Sequence, residues 1–308
     1  MRAHASRRKA VRRGGAPGSG APPSGTGPRR SRVLDYRRQL WRSGPGTGVA
    51  TVQEAAAFVR RVGLCLLFGC GQIPLPKLEL CGPPDFEWWE WKDRLQELRR
   101  AYLGRVVRRK ATLVALDLLP AFLGLYYAGG GVEVYDEEHQ RGRLSDDAWR
   151  IGEHLSRHGP TPVDQLRRTL VPPGPAGTRR FHRALDEMQE KFKTVTVGRV
   201  QKHWSVRIIG LLSDWAPPEL LREAQALARD PQAARQRILG RAVRAAGVLG
   251  VREAAVMFGW EQADAEGTAA RLANLDPDLV RAGASVAVRA VCYDPLLRAP
   301  RHGGATPC

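Results

Sequence analysis

Between residues 145 and 215 the apolar pattern runs through three helical periods and then switches once to a period of two. That switch limits the fold more than any other feature of the chain. Ser145 is placed to cap a helix carrying Ala148, Ile151 and Leu155, and His158-Gly159-Pro160 stops it. Thr161 as N-cap, Pro162 at the first helical position and Asp164 in the first turn lead into a second helix with Val163, Leu166 and Leu170. A Pro/Gly loop over 171–177 separates this from a third, whose stripe is Phe181, Ala184, Leu185, Met188 and Phe192. Val195 and Val197 then alternate with Thr194 and Thr196, residues 198–203 form a basic tip, and Trp204, Val206 and Ile208 alternate again. Three short helices followed by a two-stranded hairpin is the element order of a winged-helix domain, with the third helix in the recognition position.

On the third helix, a projection at 100° per residue sets Arg179 and Arg183 opposite the apolar stripe, with Arg180 and His182 on the flanks. Asp186, Glu187 and Glu190 occupy the distal half. Arg199, Gln201, Lys202, His203 and Arg207 put positive charge on the hairpin, so both elements that touch DNA in a winged helix are basic. Residues 178–207 hold eight Arg or Lys against three acids, and this excess favours a DNA face over a merely solvated one. The predicted DNA-binding residues are therefore Arg179, Arg180, His182, Arg183, Arg199, Lys202, His203 and Arg207.

Length and charge set the wider frame. A chain of 308 residues has room for two or three packed modules. Its net charge of +18 points to a polyanionic partner, here double-stranded DNA. Twelve of the Arg and Lys residues lie in residues 1–48 against the single acid Asp35. That Pro/Gly/Ser-rich stretch reads as a disordered basic tail, either simply solvated or gripping phosphates without sequence preference. It lacks the apolar core of a secretory signal, and a cytoplasmic, nucleoid-associated protein is expected. Residues 111–128 form the most apolar run but contain Asp117 and Pro120, so they read as buried core and no membrane partner is expected. Five cysteines without a C-x-x-C pair give no metal site, and no cofactor motif is present.

Residues 49–143 read as a mainly helical module. Thr51 and Glu54 make a capping-box pattern before Ala55, Ala56, Val59, Val62, Leu66 and Leu67, with Gly69 and Gly71 closing the helix. A second helix is predicted from near Trp91 with the stripe Leu95, Leu98, Tyr102 and Val106. The winged-helix domain covers 144–216. Residues 217–298 read as a second, degenerate unit: helices around Ala234 to Val243, 251–258 and 264–275, then a β-type segment over 286–293. Residues 299–308 are a flexible tail. The fold class expected is mainly α with small β-hairpins, an α+β chain of tandem winged-helix units.

Residues 85–93 (DFEWWEWKD) combine aromatic surface with carboxylates. Such a cluster suits a pocket that stacks an extruded base and positions water. It more simply suits core and inter-module packing by Trp88, Trp89 and Trp91, with Lys92 and Asp93 as first-turn or ion-pair residues. Glu90, Asp93 and Gln72 are the catalytic candidates on this reading.

Several of these segments, namely 62–68 (VGLCLLF), Trp91-Lys92-Asp93, 110–116 (KATLVAL), Leu118-Leu119-Pro120, His158-Gly159-Pro160 and 181–185 (FHRAL), resemble bacterial proteins related to the YcaQ/AlkZ crosslink-repair DNA glycosylases. The resemblance covers about residues 52–260. It implies tandem winged-helix units and a repair context in which alkylated or crosslinked bases are excised. The family's catalytic motif, Gln, an apolar residue, then Gln or Asp, is absent: Gln53 precedes Glu54-Ala55, and Gln72-Ile73-Pro74 keeps two positions only. The resemblance therefore implies a catalytically diverged DNA-binding protein. An active glycosylase and a transcription regulator stay open beside it, and oligomeric state is not fixed.

Overall fold

The computed structural model describes residues 27–43, 47–69, 72–82, 88–128, 135–201 and 205–292. The chain is α+β, mainly helical, and its described strands form three small antiparallel sheets. No described helix is long and apolar enough to cross a membrane.

Helix α1 (Arg30–Leu40) lies inside the stretch expected to be disordered. Its sequence has almost no apolar face; only Val33 is buried. Val33 and Tyr36 join a small apolar cluster with Ala287, Val291 and Cys292, and polar docking adds to it. Tyr36 Oη, Arg37 Nε and Trp41 Nε1 each donate to a carbonyl near the end of a helix two hundred residues later, Arg244 O, Ala246 O and Ala245 O, all at 2.7 Å. These are carbonyls a helix leaves unpaired at its carboxyl end, where cations are also favoured.

The first unit begins with α2 (Val52–Val62), whose Thr51 hydroxyl accepts from Glu54 N as the capping-box spacing predicts, while the Glu54 carboxylate accepts from Ala50 N, one residue before the cap. The helix ends at Gly63, whose φ of 82° suits glycine, and not at Gly69. Residues 64–66 form strand β1 (Leu64–Leu66). Helix α3 (Trp88–Glu97) then stops well short of Val106. Residues predicted to continue it form β2 (Ala101–Val107), followed by β3 (Lys110–Ala115). The sheet order is β1-β3-β2. Helices α4 (Leu119–Tyr126) and α5 (Tyr135–Gln140) lead out of it.

The second unit holds α6 (Asp146–His158), β4 (Thr161–Pro162), α7 (Val163–Leu170), α8 (Pro175–Glu190), β5 (Thr194–Gln201) and β6 (Ser205–Leu211). Ser145 caps α6 by accepting from Ala148 N. Thr161, expected as a helix cap, instead pairs with Ile209, so a two-residue strand precedes α7. The order β4-β6-β5 repeats that of the first sheet. Short α9 (Leu212–Trp215) and α10 (Pro218–Arg229) follow.

The third unit contains α11 (Pro231–Ala246), β7 (Val248–Gly250), α12 (Val251–Phe258), α13 (Gln262–Leu275), β8 (Leu279–Ala282), β9 (Ser285–Val288) and α14 (Arg289–Cys292), again with the order first-third-second. The β-type segment predicted over 286–293 is a strand only to Val288, after which the chain turns helical.

One apolar core runs continuously through the first and third units and α10, whereas most of the second unit closes on its own core of Leu144, Ile151, Leu166, Phe181, Met188 and neighbours. Helix α10 packs on α4 so closely that a Cβ added at Gly124 would lie 2.7 Å from Leu227 Cβ. It therefore serves the first unit's core more than the third's. The two lobes meet through Tyr102 stacked on Phe192 at 5.8 Å, the Trp215 indole donating to Gln96 O at 3.0 Å, and a buried ion pair, Lys193 Nζ to Glu138 Oε1 at 2.8 Å.

Candidate nucleic-acid interface

Helix α8 starts at a tightly built corner. Gly174, with φ 107°, precedes Pro175 at the first helical position. Gly177 is buried so near the preceding loop that a Cβ there would meet Pro172 O at 2.0 Å. Phe181, Ala184, Leu185 and Met188 face inward, which leaves Arg179, Arg180, His182 and Arg183 exposed, as the helical projection predicts.

These four are not equivalent. Arg180 is committed to Asp147 in the first turn of α6 by two bonds, of 3.0 and 2.7 Å, and this contact holds its pKa above the ordinary guanidinium value. Arg179 and Arg183 have no ion pair among the described residues and stand free on the surface. The acids of the distal half are all engaged. Asp186 pairs with Arg105 at 2.8 Å and Glu190 with Arg109 at 2.7 Å, both from the first unit's β2–β3 hairpin. Glu187 accepts from the Ser145 amide and hydroxyl and pairs with Lys191; against the opposing effect of burial, these contacts lower its pKa. The carboxyl end of α8 is thus clamped to the rest of the molecule and its amino end is open.

On the hairpin, the basic residues also differ in their partners. Arg199 turns inward and bonds to Glu97 at 3.1 Å and Glu90 at 3.5 Å, so its charge is spent bridging β5 to α3. Arg207 is half-buried and carries no ion pair among the described residues. Lys202 and His203, together with Trp204, lie outside the described residues.

A groove of about 460 Å³ lies between the first two units and meets α8 at its carboxyl half. Asp186 and Gln189 of α8, Arg199 and Arg207 of the hairpin, and Trp89, Glu90, Lys92 and Asp93 of α3 line it. The structure therefore brings together two of the three catalytic candidates, Glu90 and Asp93. Gln72 is exposed in a loop and lines no part of the groove.

Trp88 and Trp91 pack against the large core, which fits the packing reading of the aromatic cluster, but Trp89 is 55% exposed at the groove. Lys92 and Asp93, consecutive on the helix, are both buried and bonded to one another, Nζ to Oδ2 at 2.6 Å. The Lys92 ammonium also sits 4.3 Å from the Trp89 ring centre. Asp93 Oδ1 is buried with no hydrogen-bond partner. A buried carboxylate oxygen without a donor is costly, and such an orphan beside a cavity marks a place for a ligand atom or water. Sequence reasoning missed Lys92, Arg105 and Gln189 as groove residues. Arg105 lies on β2, in the stretch where the apolar spacing predicts a helix. No group of His, Cys, Asp and Glu able to hold a metal ion occurs among the described residues.

Comparison with known proteins bears on what this groove serves. No curated protein matches the chain. The solved structure of Streptomyces sahachiroi DNA glycosylase AlkZ is similar at 12% identity over 83% of this chain and 69% of that one, with a TM-score of 0.47. A family model described as AlkZ related matches residues 49–247, which is more than half of the sequence and takes in both walls of the groove and all of α8. The chain belongs to the AlkZ-related family.

Proposed function

We propose that this protein is a winged-helix DNA-binding protein of the repair type, diverged from the glutamine chemistry of the glycosylases it resembles, which holds double-stranded DNA along the amino-terminal half of α8. The observation that carries the reading is the split of charge along that helix. Arg179 and Arg183 stand free while Asp186, Glu187 and Glu190 are each neutralised by a partner. A polyanion approaching α8 meets uncompensated positive charge at one end and no free acid at the other. Arg207 extends the same potential across the hairpin, and Arg180 supports it by fixing α6 against α8.

The test is Arg179→Ala with Arg183→Ala, titrated with duplex over a range of salt. If both contact phosphate, the slope of log K against log salt falls in magnitude by about two units, since each phosphate contact contributes about 0.9. Both side chains point away from the core, so the fold is kept. An unchanged affinity and slope would remove α8 from the interface.

A second reading, base excision, is favoured by one observation: the partnerless Oδ1 of Asp93 beside a groove that also presents an exposed indole. A carboxylate oxygen there suits a water to be activated, and an indole suits a base to be stacked. Incubation with alkylated and crosslinked duplexes, scored for abasic sites, separates this reading from binding alone.

A further inference from the structure

We infer that the groove at α3 captures the open-chain aldehyde of an abasic site in duplex DNA, with Lys92 as the nucleophile and Asp93 as the proton acceptor. This rests on the reading that DNA lies along α8, but it assigns a chemistry that DNA binding does not require. The case starts from a primary amine in an unusual place. Lys92 is a lysine whose side chain is only 11% exposed, and it reaches a groove wall where most lysines would extend into water. The Trp89 ring at 4.3 Å and Asp93 at 2.6 Å fix its position. One oxygen of Asp93 is thus occupied by the ammonium and the other has no partner, so the carboxylate can take one proton from Lys92 and still present an acceptor.

An amine held against a proton acceptor is the arrangement that makes carbonyl adducts. Double-stranded DNA carries no carbonyl that reacts readily with an amine unless a base has been lost; the deoxyribose then opens to an aldehyde at C1′. The groove takes in Asp186 and Gln189 of the helix that carries Arg179 and Arg183, and Arg207 in its lining suits the phosphate flanking such a sugar.

The steps balance without any oxidant or reductant. Lys92 passes a proton to Asp93 along their hydrogen bond, and the neutral Nζ adds its electron pair to C1′. The carbinolamine formed takes the proton back from Asp93, loses its oxygen as water, and becomes a protonated imine. Asp93, again a carboxylate, removes a proton from C2′. The electrons of that C–H bond form a C2′–C3′ double bond, the C3′–O3′ bond breaks, and the 3′ phosphate leaves with the pair. Water then hydrolyses the imine and frees Lys92 as the ammonium, and Asp93 releases the C2′ proton to water, which restores the starting pair.

The experiment mixes the full-length protein with a duplex carrying one abasic site, in the presence of sodium borohydride to reduce any imine to a stable amine. Duplex binding is followed in parallel without reductant. The expected result is a covalent protein–DNA adduct whose peptide map places the DNA on Lys92. Lys92→Arg, which keeps the ion pair and the fold, brings the adduct to background, and Asp93→Asn, which removes the proton acceptor, slows both adduct formation and strand cleavage by about 100-fold. Intact duplex gives no adduct. Binding of the abasic duplex without an adduct, or an adduct mapped to another amine and retained in Lys92→Arg, overturns the inference and leaves the DNA-binding reading standing. Absence of any duplex binding together with absence of an adduct overturns both.

Discussion

Replacing Glu138 by alanine tests how the two lobes are held together. Lys193 Nζ lies 2.8 Å from Glu138 Oε1, with the two side chains 5% and 2% exposed, and it also donates to Tyr127 Oη at 3.1 Å. Tyr126 Oη donates to the other carboxylate oxygen at 3.1 Å. Removing the carboxylate leaves the Lys193 ammonium without its buried counter-charge, though still bonded to Tyr127, and leaves the Tyr126 hydroxyl without its carboxylate acceptor. Breaking one partner of a buried pair costs about 3–5 kcal/mol, and the second stranded donor puts this case near the upper end. That is a large share of the roughly 5–15 kcal/mol by which a domain is stable. The pH dependence gives a sharper signature than the size. Burial, the largest cause, lowers the Lys193 pKa; Glu138 opposes that, and Lys191 and Arg143 add to it. With the folded value below the ordinary 10.5, the unfolded chain binds more protons between the two values, so stability rises with pH through that window. Glu138→Ala removes the one contribution that raises the folded value, and the window then extends toward neutrality. Urea unfolding followed by circular dichroism at a series of pH values from neutral to alkaline reads both effects. The deficit relative to the natural protein is largest at neutral pH and shrinks as pH rises. Replacing the pair by Glu138→Leu with Lys193→Met restores most of the loss. A deficit under about 1 kcal/mol that does not change with pH would refute the reasoning, because that is the behaviour of an exposed pair.

Other expectations follow from single features. Gly177→Ala forces a Cβ onto Pro172 O and costs about 3 kcal/mol, at the top of the range for overpacking, and duplex affinity falls with it because the start of α8 moves; a melting temperature within a degree of the natural protein would show the corner to be yielding. Trp89→Ala changes stability by less than about 0.5 kcal/mol, as an exposed side chain should, yet weakens duplexes with an unpaired or missing base by about 1–3 kcal/mol through lost stacking; equal weakening of fully paired duplex would assign Trp89 to the backbone instead. Cys65 and Cys81 are free and buried, and burial pushes the Cys65 thiol well above its ordinary pKa. Neither reacts with a disulfide reagent until the protein unfolds, and peptide mapping of early label on either would contradict that.

The second unit was legible because each of its elements carries its own start and stop. Ser145, Gly159-Pro160, Pro175 and the run of alternating valines are local signals, and the helices and the hairpin appear where those signals fall. The first unit's sheet was not legible. Strand β2 is buried on both faces over most of its length, so it shows no alternation, and the spacing of Tyr102 and Val106 mimics a helical stripe. A strand of two residues such as β4 is too short to carry a period at all. Helix α1 escaped for another reason: its docking depends on carbonyls two hundred residues away, and nothing in its own composition announces them. The candidate site divides in the same way. Exposure of Arg179 and Arg183 follows from helical geometry. The commitment of Arg199 to Glu97 does not, because it joins residues 102 positions apart. The pairing of Lys92 with Asp93 was legible, but not their joint burial, because neighbours on a helix normally diverge by 100°.

The clamp on the carboxyl end of α8 limits how much text this protein can spell. Of the sixteen residues in that helix, only about the first ten stay clear of the first unit's hairpin, a length of about 15 Å at 1.5 Å per residue. Laid along a duplex that advances about 3.4 Å per base pair, such a segment spans about four pairs. A word of four letters cannot single out one address among the roughly 10⁶–10⁹ competing sites of a genome. On the proposed reading of α8 as the DNA contact, what this surface can recognise with economy is a condition of the duplex, a gap in the stack or a strand that yields when pressed, which is rare wherever it occurs and needs no spelling to be found.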